Sequence, residues 1–112
     1  MSAPSGPHGD VVARVFAALG DPTRLKLVAL LCAGGAFSIA QLTAGTDISR
    51  QAVTKHLHVL AEAGVVRDVK LGRERLWHLE PAAIAEARRA LEIIGGQWEV
   101  ALGKLKQFAE SP

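Results

Sequence analysis

Cysteine and aromatic residues are scarce in this chain of 112 residues, and each shortage excludes a class of structure. The only cysteine, Cys32, cannot form a disulfide within the chain, which is typical of proteins from a reducing compartment. Two Trp, three Phe and no Tyr leave Leu, Val, Ile and Ala to build the core, a composition that favours helices. The sequence also lacks a long apolar run and the apolar segment of a signal peptide. We therefore expect a mainly helical, cytoplasmic protein without a membrane span.

The chain length indicates one domain, which we place at residues 10–109, after a Pro-, Gly- and Ser-rich tail at residues 1–9 that we expect to be disordered. The formal net charge is +2, but its distribution is uneven. Residues 49–75 carry six basic and three acidic side chains, whereas residues 80–112 carry four basic and five acidic ones. A basic middle segment can face a polyanion, although a solvated surface gives the same pattern.

Two helices are predicted in the first third of the chain. Asp10 can cap a helix that ends at Leu19, where Gly20 stops it. Asp21 can cap a second helix with Pro22 at its first position. Because apolar residues surround this second helix on nearly all sides, we expect it to be central in the fold.

A helix-turn-helix pattern follows. Ser38 can cap a short helix at residues 39–44, a turn at residues 45–47 contains a glycine, and a second helix is predicted at residues 49–63. This second helix has two different faces. Its apolar face consists of Ala52, Val53, Leu57 and Leu60. Its polar, mostly basic face consists of Arg50, Gln51, Thr54, Lys55 and His58, with Ser49 at the cap. Such side chains suit base edges and phosphates, so the helix is interpreted as a recognition helix.

A β-hairpin and a long helix complete the domain. Two strands around the loop glycine Gly72 predict a hairpin at residues 65–79, in the position of a wing. A last helix is predicted at residues 81–109, in which apolar residues recur with the gaps 3 and 4 of a heptad seam that another helix must cover. Gly95–Gly96 in its middle either bends this helix or allows a neighbouring backbone to approach closely. The seam consists of Ile84, Ala87, Leu91, Ile94, Trp98, Ala101, Leu105 and Phe108.

In this order of elements the chain resembles the ArsR/SmtB family of bacterial winged helix-turn-helix repressors over about residues 11–109. The matching segments are FAALGDPTRLKLVALL (residues 16–31), SIAQLT (38–43), SRQAVTKHLHVLAEAGVV (49–66) and GRERLWHL (72–79). The C-terminal segment QWEVALGKLKQF (residues 97–108) is similar to a metal-independent branch of this family. The resemblance implies a mainly α fold with a hairpin wing, and a repressor that binds double-stranded DNA at a palindromic operator.

The resemblance also implies a homodimer formed by the first and last helices, whose DNA affinity an effector can switch; the sequence does not identify an effector. The predicted interface residues are Val12, Val15, Phe16, Leu91, Ile94, Trp98 and Leu105.

We predict that Gln51 and Thr54 read bases, because an amide or a hydroxyl can pair with base edges. Ser49, Arg50, Lys55 and His58 are expected to contact phosphates and set the register. Arg73 and Arg75 of the hairpin are expected to reach the minor groove or its phosphates. For each of these residues an ordinary exposed surface is the competing interpretation.

No metal site and no cofactor are predicted. The Cys-x-Cys site of metal-sensing relatives is absent at residues 38–42, and residues 81–112 contain no His, Asp or Cys. His56 and His58 are two residues apart, a spacing that places them on different sides of a helix. Cys32 is expected to be a buried apolar residue rather than a reactive thiol.

Two other functions are also compatible with the sequence. One is a winged-helix module that binds proteins and has lost DNA binding, and the other is a thiol- or metal-responsive repressor with an atypical sensor site. An enzyme is the poorest interpretation, because no nucleophile–base pair, paired carboxylates or phosphate loop stands out.

Overall fold

The computed structural model describes residues 7–111, with side chains from Asp10 onward. This part of the chain forms a mainly helical fold with a small antiparallel sheet. Its elements in chain order are α1 (Pro7–Leu19), α2 (Pro22–Gly34), β1 (Ala36–Phe37), α3 (Ile39–Ala44), α4 (Arg50–Glu62), β2 (Val66–Leu71), β3 (Glu74–Leu79) and α5 (Pro81–Glu110). No helix within residues 7–111 combines the length and the apolar character that crossing a bilayer requires.

Polar side chains begin the helices at the predicted positions. The Asp21 carboxylate accepts a hydrogen bond of 3.0 Å from the Arg24 amide, and this bond holds the pKa of the carboxyl below its usual value. Ser38 and Gln41 form a capping box at the start of α3, in which each side chain accepts a hydrogen bond from the other residue's amide. These caps fix where α2 and α3 begin, which in turn fixes the turn that leads into α4.

The first helix begins earlier than the sequence pattern indicates. α1 starts at Pro7, so residues 7–9 are helical and Asp10 lies in the first turn instead of capping the helix. Proline is favoured at the first position of a helix, and an acidic residue in the first turn is stabilised by the helix dipole. The rest of the predicted tail, residues 1–6, lies outside the described residues.

The core lies where the first four helices meet the sheet and the start of α5. Its fully buried side chains are Val15, Leu27, Leu31, Leu42, Val53, Leu57, Leu60, Val65 and Val66. α2 packs against α1, α4, β1 and β3, in agreement with its predicted central position, although Leu25 on its outer side is 52% exposed. Cys32 is exposed, so its predicted burial is wrong. Only the side of α2 that carries Leu27 and Leu31 packs inward, because this domain has a single core.

The wing belongs to a three-stranded antiparallel sheet in the order β1-β3-β2. β2 and β3 pair from Val66 opposite Leu79 to Leu71 opposite Glu74, with Gly72 in the two-residue turn at a φ of 63°. The predicted hairpin is therefore confirmed to within one residue. The edge strand β1 was not predicted, because its two residues are too few to show an alternating pattern.

The last helix is continuous. α5 has 30 residues and passes through Gly95–Gly96 without a break. Among the described residues, nothing lies within 4 Å of a Cβ placed on either glycine. A helix of this length extends about 45 Å, and it accounts for the elongated shape of the chain, 69 Å in its longest dimension.

Candidate nucleic-acid interface

Burial of one side of α4 determines which side faces outward. Val53, Leu57 and Leu60 are each 0% exposed and anchor the helix on the core. Val65 donates its amide to the Leu60 carbonyl at 2.9 Å, and Gly64 adopts a φ of 80°. This hydrogen bond and the left-handed glycine end α4 and direct the chain into β2. The hairpin is thereby fixed to the end of the helix.

The side of α4 opposite the core carries the predicted contact residues. At about 100° per residue, positions 50, 51, 54, 55 and 58 fall within an arc of roughly 140°. The Ser49 hydroxyl accepts a hydrogen bond from the Ala52 amide at 3.1 Å and caps the helix. Apart from Thr54, which is half-buried, the eight predicted contact residues are exposed: Ser49, Arg50, Gln51, Lys55, His58, Arg73 and Arg75.

Gln51 and Thr54 differ in how their polar groups are used. The Thr54 hydroxyl donates to the Arg50 carbonyl at 2.9 Å, one turn earlier in the helix. The side-chain amide of Gln51 forms no hydrogen bond within residues 7–111. Gln51 therefore has its donors and its acceptor available to a ligand, whereas Thr54 does not have its hydroxyl hydrogen available.

His58 has a neighbour that sequence reasoning missed. Its ring lies 6.3 Å, centroid to centroid, from that of Trp77 in β3, with 53° between the ring planes. Trp77 is only 4% exposed and joins the core. The two rings connect the recognition helix to the base of the wing, so His58 is part of the packing between them in addition to its predicted phosphate contact. The contact joins residues 19 positions apart, and no local pattern indicates it.

The arginines of the hairpin are not equivalent. Arg75 forms an ion pair of 3.1 Å with Asp68, and Arg67 forms one of 2.9 Å with Glu80. Exposed pairs of this kind contribute little to stability, but they restrain the guanidinium groups. Arg73, next to the turn, has no ion pair among the described residues. Of the two predicted wing contacts, Arg73 is thus the one with an unshared charge.

The predicted dimer surface is exposed along α5 and partly internal on α1. Leu91, Ile94, Trp98 and Leu105 are 53–64% exposed, and every residue from 91 to 111 is exposed in the single chain. Val12 and Phe16 are half-buried. Val15 is 0% exposed and belongs to the core of its own chain, so its assignment to the interface is corrected.

The histidines and the cysteine do not gather at one place in the described residues. Within residues 7–111 there is no group of three or more His, Cys, Asp or Glu placed to hold a metal ion. Cys32 lies alone on the exposed side of α2.

A buried helix face, an exposed basic face and a following hairpin together define a winged helix-turn-helix DNA-binding protein. A helix-turn-helix domain model matches residues 19–69. The chain is 35% identical over 98 residues to the HTH-type transcriptional regulator Rv2034 of Mycobacterium tuberculosis, and the aligned region covers 88% of each chain. It is 32% identical over 79 residues to the arsenical resistance operon repressor of Escherichia coli, covering 70% of this chain and 68% of that one.

The structure of an ArsR-like transcriptional regulator from Rhodococcus sp. RHA1 superimposes with a TM-score of 0.74, at 39% identity, over 93% of this chain and 97% of that one. The chain therefore belongs to the ArsR family of winged helix-turn-helix transcriptional regulators. Its relatives are regulators and repressors of transcription, so it is a regulator and not an enzyme.

Proposed function

We propose that the chain is a sequence-specific repressor that acts as a homodimer on a palindromic operator in the cytoplasm. The observation that supports this most strongly is the division of α4 into two faces. Three of its side chains are completely buried, which fixes the helix, while Arg50, Gln51, Lys55 and His58 remain exposed. A surface without a nucleic-acid partner does not require a buried apolar face and an exposed basic, amide-bearing face on one short helix.

In this proposal each contact residue has a chemical role. Gln51 and Thr54 face base edges, while Arg50, Lys55 and the cap Ser49 face the phosphates on either side. His58 lies at the end of the same row, and Arg73 brings the unshared charge of the wing to the adjacent groove or its backbone. Arg75 takes part to the extent that it can exchange its partner Asp68 for a phosphate.

The homodimer follows from the exposed apolar row on α5. Large apolar side chains that are more than half exposed are costly in water, and the heptad spacing of Leu91, Ile94, Trp98 and Leu105 fits a second helix. Two copies related by a two-fold axis would present their α4 helices to successive major grooves, about 34 Å apart. A homodimer in solution is described for a winged helix-turn-helix domain from Mycobacterium bovis that shares this fold at 21% identity.

The contrast between Gln51→Ala and Lys55→Ala tests the assignment of base and phosphate contacts. We expect Gln51→Ala to weaken operator binding by about 1–3 kcal/mol and to relax the preference at one base pair. Lys55→Ala should weaken operator and random DNA to the same extent and reduce the dependence of log K on log salt by about one. Fluorescence anisotropy on both duplexes at several salt concentrations measures both effects.

The same titrations separate a DNA reader from a protein-interaction module. Glu62, an exposed acidic residue near the end of α4, provides a matched control because Glu62→Ala removes no predicted contact. Unchanged affinities of Gln51→Ala for both duplexes would contradict the base-reading role. A binding constant of the native protein that does not change with salt would favour the interaction module.

We further propose that repression does not respond to metals, although relatives are named for resistance to arsenic or mercury. The support is the donor set, since the described residues bring no three potential ligands together. Addition of zinc, copper or arsenite is expected to leave operator affinity unchanged in the presence of a reductant. Release of DNA by a metal would contradict the proposal, and abolition of that release by Cys32→Ser would assign it to the exposed thiol.

A further inference from the structure

The hydrogen bond from Thr54 to the Arg50 carbonyl changes what this residue can offer to DNA. A threonine hydroxyl has a single hydrogen, and at 2.9 Å from the carbonyl oxygen this hydrogen is used within the helix. The hydroxyl therefore cannot donate to a base at the same time. The γ-methyl group on the same carbon takes no part in this hydrogen bond, and it is the group of this half-buried side chain that is left to make an apolar contact.

Thymine is the base that such a methyl group recognises. In the major groove thymine carries a C5-methyl group that cytosine and uracil lack, and apolar side-chain atoms discriminate it by direct contact. We propose that Thr54 is a specificity-determining residue that reads a thymine through methyl–methyl contact rather than through its hydroxyl. This inference rests on the proposed function of α4 and names the base chemistry of that site.

The position of Gln51 sets where this thymine lies. Residues three apart on a helix are neighbours on its surface, with Cβ atoms about 5–6 Å apart. This spacing amounts to between one and two base-pair steps of about 3.4 Å each. Gln51 has its amide free, and a free amide suits the N6 and N7 atoms of adenine. Each half-site is therefore expected to contain an adenine read by Gln51 and, one or two base pairs away, a thymine read by Thr54.

The test uses duplexes selected by the native protein from a random library, in which each thymine is replaced in turn by uracil. This replacement removes only the C5-methyl group and leaves base pairing intact. We expect one position per half-site at which uracil weakens binding about fourfold, the effect of losing contact with one methyl group.

Two variants of Thr54 then separate its methyl from its hydroxyl. Thr54→Val keeps the γ-methyl and the branched shape, so it should retain the fourfold discrimination between thymine and uracil. Thr54→Ser keeps the hydroxyl and lacks the methyl, so it should bind both duplexes equally. Thermal melting of each variant, and its affinity for random DNA, verify that the helix is intact and that phosphate contacts are unchanged.

Retained discrimination in Thr54→Ser would overturn the proposal, because a group other than the γ-methyl of Thr54 would then distinguish thymine from uracil. A selected half-site at which no uracil replacement weakens native binding would overturn it too, while leaving the function of the protein as a specific DNA reader intact. If the native protein selects no sequence at all, the proposed function itself fails and the inference fails with it.

Discussion

The variant Leu57→Ala is expected to lose about 2–5 kcal/mol of its free energy of unfolding. Leu57 is 0% exposed and lies on the core side of α4, between Val53 and Leu60. Truncation removes three buried carbon atoms and leaves a cavity that the neighbouring helices can close only in part. Because small domains have about 5–15 kcal/mol of total stability, this single change removes a large fraction of it. Urea denaturation followed by circular dichroism measures the shift in midpoint.

Val59→Ala is the matched control on the same helix. Val59 is 41% exposed, so its truncation leaves no closed cavity, and the midpoint should move by much less. Equal shifts for the two variants would mean that α4 is not anchored by the face that carries Val53, Leu57 and Leu60. The comparison bears on function as well, since a recognition helix can present Gln51 and Lys55 only while its opposite face is held on the core.

Sequence reasoning predicted the parts of this structure that depend on local patterns. The caps at Asp21, Ser38 and Ser49 are visible in the sequence because a capping side chain acts within three residues. The two faces of α4 are visible because the periodicity of a helix determines which residues share a side. For the same reason the polar side of α4 was identified correctly as the exposed one, although the DNA contacts themselves stay a prediction.

Features that depend on which elements meet were not predictable in this way. Apolar residues occupy nearly all sides of α2, but only a domain with several layers would cover every one of these sides. Leu25 and Cys32 are therefore exposed. The contact of His58 with Trp77 and the ion pair of Arg75 with Asp68 depend on the position of α4 above the sheet and on the strand register. Val15 was misassigned because helical spacing shows which residues of α1 share a side. It does not show whether that side packs on the core or on a partner chain.

The double variant Ile94→Glu/Trp98→Glu is expected to convert the proposed homodimer into monomers and to abolish operator binding at concentrations where the native protein binds. Both side chains are more than half exposed in the single chain, at 53% and 64%. Burial of one large apolar side chain contributes about 1.5–3 kcal/mol, and a two-fold interface loses each of them twice. The dimer dissociation constant should therefore rise by roughly a thousandfold or more. Sedimentation velocity at micromolar protein measures the dissociation, and anisotropy on a full operator and on a half-site measures its consequence for binding.

Ile93→Glu/Val100→Glu is the control that makes this test specific to one face of α5. Ile93 and Val100 are exposed to a similar extent, 57% and 60%, but lie roughly 130° around the helix axis from the pair Ile94 and Trp98. Their replacement adds the same charge to the same helix and should leave the dimer intact. Dissociation by the control pair alone would place the interface on the other face, and a monomeric native protein would contradict the homodimer altogether. If only Ile94→Glu/Trp98→Glu dissociates, its loss of operator binding follows from the loss of the second α4 helix. The α4 helix and its contact residues are unaltered in each separate chain.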